Sequence, residues 1–218
     1  RSRGATIYGT VLGAGSACAN AGTTPNLRLA MSLAMKAALR DAALTPDQIG
    51  HINAHGLSDR KVDVAEAEAI HDVFGNLAER VPVTALKSFW GNAAAGTGMI
   101  EIVGSLAGLK EGFIPPTLNY REPDSACRLN VVREPTKPLN SIFLKLSVTR
   151  LGQASAGARQ RRAGGGAASG LRHQHHPFQG SSRGGGPSAE PSLDRSPSSG
   201  RLGGHSRGDR SEEHTSEL

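Results

Sequence analysis

Cysteine is scarce in this 218-residue chain: there are two, Cys18 and Cys127, and neither has a CxxC partner. A disulfide framework is therefore not implied, and a reducing, cytoplasmic setting is expected. Aromatics are equally thin, with one Trp, two Tyr and five Phe. No basic stripe with interleaved aromatics occurs, so the formal charge of +6 does not mark a nucleic-acid partner. Long apolar runs are missing too, which argues against a membrane-spanning helix. No signal-peptide pattern opens the chain.

Lysine is absent from residues 157–218, and so is nearly every large apolar side chain. That stretch has only Leu171, Phe178, Leu193, Leu202 and Leu218, yet it holds nearly half of the 28 glycines. Such a composition cannot bury enough apolar surface to offset the entropy of ordering it. Two segments are expected: a folded body over 1–156 and a low-complexity, disordered tail over 157–218. Alanine, arginine, glycine, proline and serine without lysine is what GC-rich DNA yields out of frame. The last nine residues, 210–218, look like a translated sequencing adapter. The tail is thus expected to be a frameshift followed by read-through. Within it, His173, His175 and His176 and the run Arg207-Gly208-Asp209 are short matches in low-complexity sequence. They carry little weight as metal or integrin motifs.

The body has clear periodicity. Residues 5–12 are β-prone, and the glycine-punctuated stretch 13–24 reads as a loop. Leu27, Ala30, Met31, Ala34, Met35, Ala38 and Ala42 recur at helical spacing over 27–44. Thr45-Pro46-Asp47-Gln48 has the pattern of a capping box. A short strand is expected over 52–54. A helix follows over 63–74, with Asp63 and Glu66 in its first turn and Gly75 after its end. Then come a strand over 81–86, a helix over 97–110 and a strand over 143–148. The second of these helices has Ile100, Val103, Leu106 and Ala107 on one side. Alternating strands and helices predict an α/β layered fold with a mainly parallel sheet.

Two stretches concentrate the reactive groups. Ile52-Asn53-Ala54-His55-Gly56 ends an apolar run in a histidine, and Asp63-Val64-Ala65-Glu66 follows it. Val83 to Leu86 delivers Lys87 to the turn Ser88-Phe89-Trp90-Gly91-Asn92, and a small-residue helix start follows. A helix start offers unpaired N–H groups and a positive dipole end. A histidine at a strand end is ordinarily structural, and a lysine ordinarily sits at the surface. Here their order and spacing say more. The chain resembles the C-terminal half of the β-ketoacyl-ACP synthases, KAS II-like condensing enzymes of the thiolase-like superfamily. Residues 52–56 are similar to that family's Asn-Ala-His-Gly-Thr loop, and Asp63-Val64-Ala65-Glu66 to its Asp-x-x-Glu helix start. Leu86-Lys87-Ser88 resembles its Thr-Lys-Ser segment. Pro115-Pro116-Thr117-Leu118-Asn119 resembles its Pro-Pro-Thr-x-Asn run, and Pro123-Asp124 its Asn-Pro-Asp.

The resemblance implies a thiolase-like α/β/α sandwich and an acyltransferase of the 3-oxoacyl-ACP synthase type. It implies decarboxylative Claisen condensation of malonyl-carrier with an acyl thioester, in fatty acid or polyketide synthesis. It also implies His55 as donor to the thioester oxygen and Lys87, paired with Glu101, as a supporting cation. Asn92 stands where the family has a second histidine; it either donates to an oxyanion or forms a turn. Leu57 and Asp59 replace threonines that would contact the pantetheine arm. Thr149 to Ala154 replaces a Gly-Phe-Gly-Gly-Thr-Asn loop. No metal or resident cofactor is implied, since the substrates ride on the phosphopantetheine of an acyl carrier protein. The other implied partners are the chain's own N-terminal half and a second ketosynthase, as a homodimer or heterodimer. Neither Cys18 nor Cys127 sits on a strand-to-helix elbow, and the resemblance places the nucleophile upstream of Arg1. A non-catalytic, chain-length-factor-like partner subunit is the alternative reading. Contiguous reading of the source gene tests both: a cysteine codon at the upstream elbow is expected for the enzyme, another residue for the partner subunit.

Overall fold

The computed structural model describes residues 3–162; of the tail expected over 157–218, residues 163–218, with the histidine group and Arg207-Gly208-Asp209, lie outside the described residues, whereas 157–161 belong to a strand. The chain opens with strand β1 (Gly9–Cys18), followed by a small hairpin of β2 (Asn20–Ala21) and β3 (Thr24–Pro25). Helix α1 (Leu27–Asp41) leads through a 3-10 turn at Pro46–Gln48 to β4 (His51–Asn53). Helix α2 (Arg60–Phe74), β5 (Pro82–Thr84), the short α3 (Lys87–Trp90) and α4 (Thr97–Glu111) come next. Strands β6 (Asn130–Val131), β7 (Ile142–Val148) and β8 (Gln153–Arg161) complete the described chain.

Six strands form one sheet in the order β1-β8-β7-β4-β5-β6. The expected mainly parallel sheet is half right. β7, β4, β5 and β6 run parallel, but β8 pairs antiparallel with both β7 and β1. The antiparallel ladders are the longer ones, because a tight turn at Thr149–Gly152 folds β8 straight back onto β7.

Side chains alternate across the pleat and define two faces. Ile52, Leu144, Leu146 and Val148 join α1 and α2 in the main apolar core. His51, Asn53, Phe143 and Lys145 face the other way, toward α4. His51 stacks on Phe143 with centroids 5.1 Å apart, and Asn53 donates to the Glu101 carbonyl at 2.9 Å. The layers are therefore α1 and α2, the sheet, and α4. This is the α/β/α sandwich that the motifs implied.

Two elements depart from the sequence reading. β1 runs to Cys18, through the stretch expected to be a loop. β8 runs to Arg161, five residues past the compositional boundary at Ala156. These stretches are rich in glycine, alanine and serine, which look like loop by propensity. Close packing explains them. Ala30, Ala34 and Ala38 form a stripe on α1, and Ala154, Ala156 and Ala158 of β8 are buried in the same core. A Cβ on Gly13 would collide with the backbone of Ala42, and one on Gly15 with that of Ala34. Small residues let the helix lie directly on the sheet, and apolar bulk is neither needed nor tolerated.

α4 has its own inversion. Its buried positions are Thr97, Glu101, Ser105, Gly108 and Leu109, whereas Met99, Ile100 and Val103 are exposed. The polar stripe faces the sheet because it meets His51, Asn53 and Lys145 there.

Replacing Gly13 by alanine forces the β1–α1 contact apart. The expected outcome is a loss of roughly 1–3 kcal/mol in urea unfolding, whereas Gly22→Ala, in a turn with open space around it, tests the positive-φ cost alone.

Candidate active site

The parallel strands β4 and β5 end side by side, so the loops leaving their carboxyl ends meet. The first carries His55. Its backbone N–H donates to Glu66 Oε1 at 2.6 Å, and Gly56 N–H donates to Glu66 Oε2 at 2.9 Å. Leu57 N–H donates to Asp63 Oδ1 at 3.0 Å. The two acids of α2 thus fix the loop by its main chain. Burial pushes the Glu66 carboxyl up, against the pull of those two N–H groups. Gly56 has φ +48°, and a Cβ there would stand 2.5 Å from the Ala85 Cβ. Only glycine lets the two loops approach so closely.

Lys87 begins α3, just past β5, and its ammonium reaches back under the histidine. Its Nζ donates to the His55 carbonyl at 2.5 Å, lies 3.4 Å from His55 Nδ1 and pairs with Glu101 Oε1 at 2.9 Å. Glu101 is fully buried, and its other oxygen, Oε2, lies 2.7 Å from Nζ of Lys145. Lys145 also donates to the Ala54 and Leu146 carbonyls, at 3.0 and 2.6 Å. One buried carboxylate is shared by two buried lysines beneath His55.

The electrostatics follow. Burial, helped by Lys87 and Lys145, pushes the His55 imidazole down to about 3. His55 is neutral at pH 7. An ammonium can only donate, so Nδ1 facing Lys87 is the acceptor and Nε2 carries the proton. Burial and Lys87 push Lys145 down to about 8, against the upward pull of Glu101.

His55, Lys87, Glu101 and Lys145 line an open cavity of about 1120 Å³, together with Asn92 and the β7–β8 turn. A second cavity of about 690 Å³ lies beside Lys87, walled by Ser88, Asn92, Thr117, Tyr120 and Cys127. Asn92 touches both but is exposed. Its Oδ1 accepts from Ala94 N–H at 3.1 Å and from the Thr97 hydroxyl at 3.0 Å, so its remaining polar group is the Nδ2 donor. Asp59 caps α2 by accepting from Lys61 and Val62 N–H, and it pairs with Arg150 of the β7–β8 turn at 3.0 Å. Cys18 is exposed at the end of β1. Cys127 is half-buried, and burial raises its thiol. Among the described residues no cluster of His, Cys, Asp and Glu is arranged to hold a metal, and no helix is long and apolar enough to cross a membrane.

The structure brings His55, Lys87 and Glu101 together and leaves Asn92 on the rim. Sequence reasoning missed Lys145. A signal existed: a lysine inside the apolar strand Phe143-Leu144-Lys145-Leu146 must find a buried partner. It also left Asn53 without a role, although its Nδ2 ties the Glu101 carbonyl and the Ser105 hydroxyl together.

Comparison with known proteins adds three findings. Residues 5–121 match the family model described as the beta-ketoacyl synthase C-terminal domain. The 3-oxoacyl-[acyl-carrier-protein] synthase 2 of Coxiella burnetii is 37% identical over 134 residues, 61% of this chain and 32% of that protein. The chain thus spans about a third of the length of such curated relatives. Among solved structures, the ishigamide ketosynthase/chain length factor superposes with a TM-score of 0.68 at 30% identity, covering 74% of this chain and 40% of the other. A type II polyketide ketosynthase in complex with its acyl-carrier protein gives 0.67 at 32% identity, covering 73% and 40%.

The buried imidazoles set an acid limit on stability. His51 is pushed down to about 3 by burial. Between its ordinary value of 6.5 and 3, the unfolded chain takes up a proton that the folded chain refuses. Stability is therefore present above pH 6.5 and drains as pH falls toward 3, by on the order of a few kcal/mol. Urea midpoints measured from pH 7 to 4 should show this limb, and His51→Phe, which keeps the stack on Phe143, should remove the His51 share and leave that of His55.

Proposed function

The chain belongs to the β-ketoacyl synthase family, matching its C-terminal domain, and from that premise we propose that it supplies the histidine–lysine part of a condensing site. The reaction is decarboxylative condensation of malonyl-carrier with an acyl thioester, in fatty acid or polyketide synthesis. A cysteine thiolate from another part of the enzyme takes the acyl group and releases the first carrier as its thiol. Malonyl-carrier then loses CO2, and the electron pair of the broken C–C bond becomes an enolate. The enolate attacks the acyl-cysteine carbonyl and expels the thiolate, leaving a β-ketoacyl-carrier.

The observation that carries this reading is the Lys87 ammonium on the Nδ1 side of a neutral His55. It leaves Nε2–H as a fixed donor, suited to a thioester oxygen on which enolate charge develops. The substrates arrive on the phosphopantetheine arm of an acyl carrier protein. Neither local thiol supports the nucleophile's role: Cys127 is raised by burial and Cys18 ends an edge strand. The exposed Met99, Ile100 and Val103 of α4 support a further body, the enzyme's own N-terminal half, packed on that face. A ketosynthase dimer, with itself or with a related subunit, completes the proposed assembly.

Asn92 favours a second reading, a chain-length-factor-like subunit that shapes the acyl pocket without turnover. Its Oδ1 is committed to Ala94 and Thr97, and an amide cannot carry a proton.

The complete gene product separates the two. For the enzyme, CO2 release from malonyl-carrier is expected, and His55→Ala should lower it by about 10²–10³-fold. The 218-residue chain alone should release none. Full-length protein that releases no CO2 but restores activity to a separate ketosynthase is the partner subunit.

A further inference from the structure

Lys145 is assigned no role by the reading above, yet it is a buried cation held from several sides. Its side chain is 4% exposed. Its ammonium donates to the Ala54 carbonyl and to its own neighbour's carbonyl at Leu146, and it forms an ion pair with Glu101 Oε2 of α4 at 2.7 Å. Ala54 directly precedes His55. One ammonium therefore ties the end of β4, the middle of β7 and α4 to the loop that carries the histidine. Together Lys87, Lys145 and Glu101 form a buried cluster with a net charge of +1, against the imidazole. With a single lysine the cluster would be neutral.

We propose that Lys145 is a positioning residue for His55: by sharing Glu101 with Lys87 and gripping the Ala54 carbonyl, it keeps the imidazole neutral with its proton on Nε2. The sharing prevents both Glu101 oxygens from drawing Lys87 away from Nδ1. The second cation repels a proton that would otherwise settle there. Charged groups face Lys145 from every side: Glu101 from α4, Lys87 from α3, Glu66 from α2, with His55 above. Burial, with Lys87, lowers the Lys145 pKa against the pull of Glu101 and Glu66, and that gives the idea a handle. The inference rests on His55 being the hydrogen-bond donor of the proposed site, but its test needs no turnover. A failed titration leaves the condensation assay readable, and the reverse also holds.

The test is NMR titration of the histidine ring nitrogens in the full chain, with His55 assigned by the signal lost in His55→Asn. In the unaltered chain the ring should stay neutral down to about pH 4 and show a second inflection near pH 8, as Lys145 loses its proton. In Lys145→Met, a side chain of similar length without charge, the inflection should vanish. The His55 midpoint should then rise by roughly one pH unit. Lys145→Arg keeps the charge and should keep the midpoint low. A lysine that only stabilises the fold would shift the melting temperature and leave the titration alone. An unaltered chain without the inflection, or a folded Lys145→Met with an unchanged midpoint, overturns the proposal. Should Lys145→Met not fold, Lys145→Gln is titrated in its place, with the same rise of the His55 midpoint expected and an unchanged midpoint overturning the proposal.

Discussion

A carboxylate with no exposed surface, Glu101, bridges Lys87 at 2.9 Å and Lys145 at 2.7 Å, and the rest of the site depends on it. Burying an ion is costly, and a single partner rarely compensates fully. Two lysines, with the Ala54, His55 and Leu146 carbonyls taking their remaining hydrogens, leave no charge exposed to apolar surroundings. Each partner comes from a different element: α3, α4 and β7, with the β4 loop above. The network can form only once the sheet is assembled. Removing one member strands the others, at a typical cost of about 3–5 kcal/mol. That is a large fraction of a domain's stability, and it explains why the buried side of α4 is polar.

The two faces of the sheet solve different problems. Toward α1 and α2, small residues permit close contact, and the core is dry and apolar. Toward α4, His51 and Asn53 meet Ser105, and Asn53 and Lys145 meet Glu101. Here apolar burial is exchanged for a connected polar layer. Such a layer favours one geometry, because an altered register would break the bonds from Asn53 to Glu101 and Ser105 and the ion pair of Lys145 with Glu101. Rigidity of this kind suits a group that must present one N–H in one direction. The loop above the layer is held by main-chain bonds to Glu66 and Asp63, not by its side chains. Its side chains, His55 among them, are left for chemistry.

At the cavity mouth the chain shows its own features. Asp59 and Arg150 join the α2 cap to the β7–β8 turn through a largely solvent-exposed pair. Pairs of this kind contribute at most about 1 kcal/mol and weaken in salt. The turn is thus lightly tethered, whereas the layer beneath it is locked. Asn92 belongs to the lightly held part. It spends its oxygen on the start of α4 and leaves only an amide donor toward the cavities.

The sequence by itself determined the order of the helices and the two loops that meet at the site, with the end of α1 and the start of α2 each three residues off. The existence of both helices follows from apolar spacing, a local property, although α2 starts at Arg60 behind an Asp59 cap that the sequence reading did not assign. His55, Lys87 and Glu101 were legible from ordered motifs, and so was the α/β/α class. Tertiary structure alone decided the rest. β1 and β8 are strands because Gly13, Gly15, Ala154, Ala156 and Ala158 fit beneath α1, and intrinsic propensity carries no trace of that fit. The buried side of α4 was set by what the sheet offered it, against the pull of Met99, Ile100 and Val103. Lys145 acquired its partner across 44 positions of sequence, from Glu101, and no local pattern encodes such a distance. Short-range periodicity reports which elements form; the pairing of buried charges is a property of the assembled core.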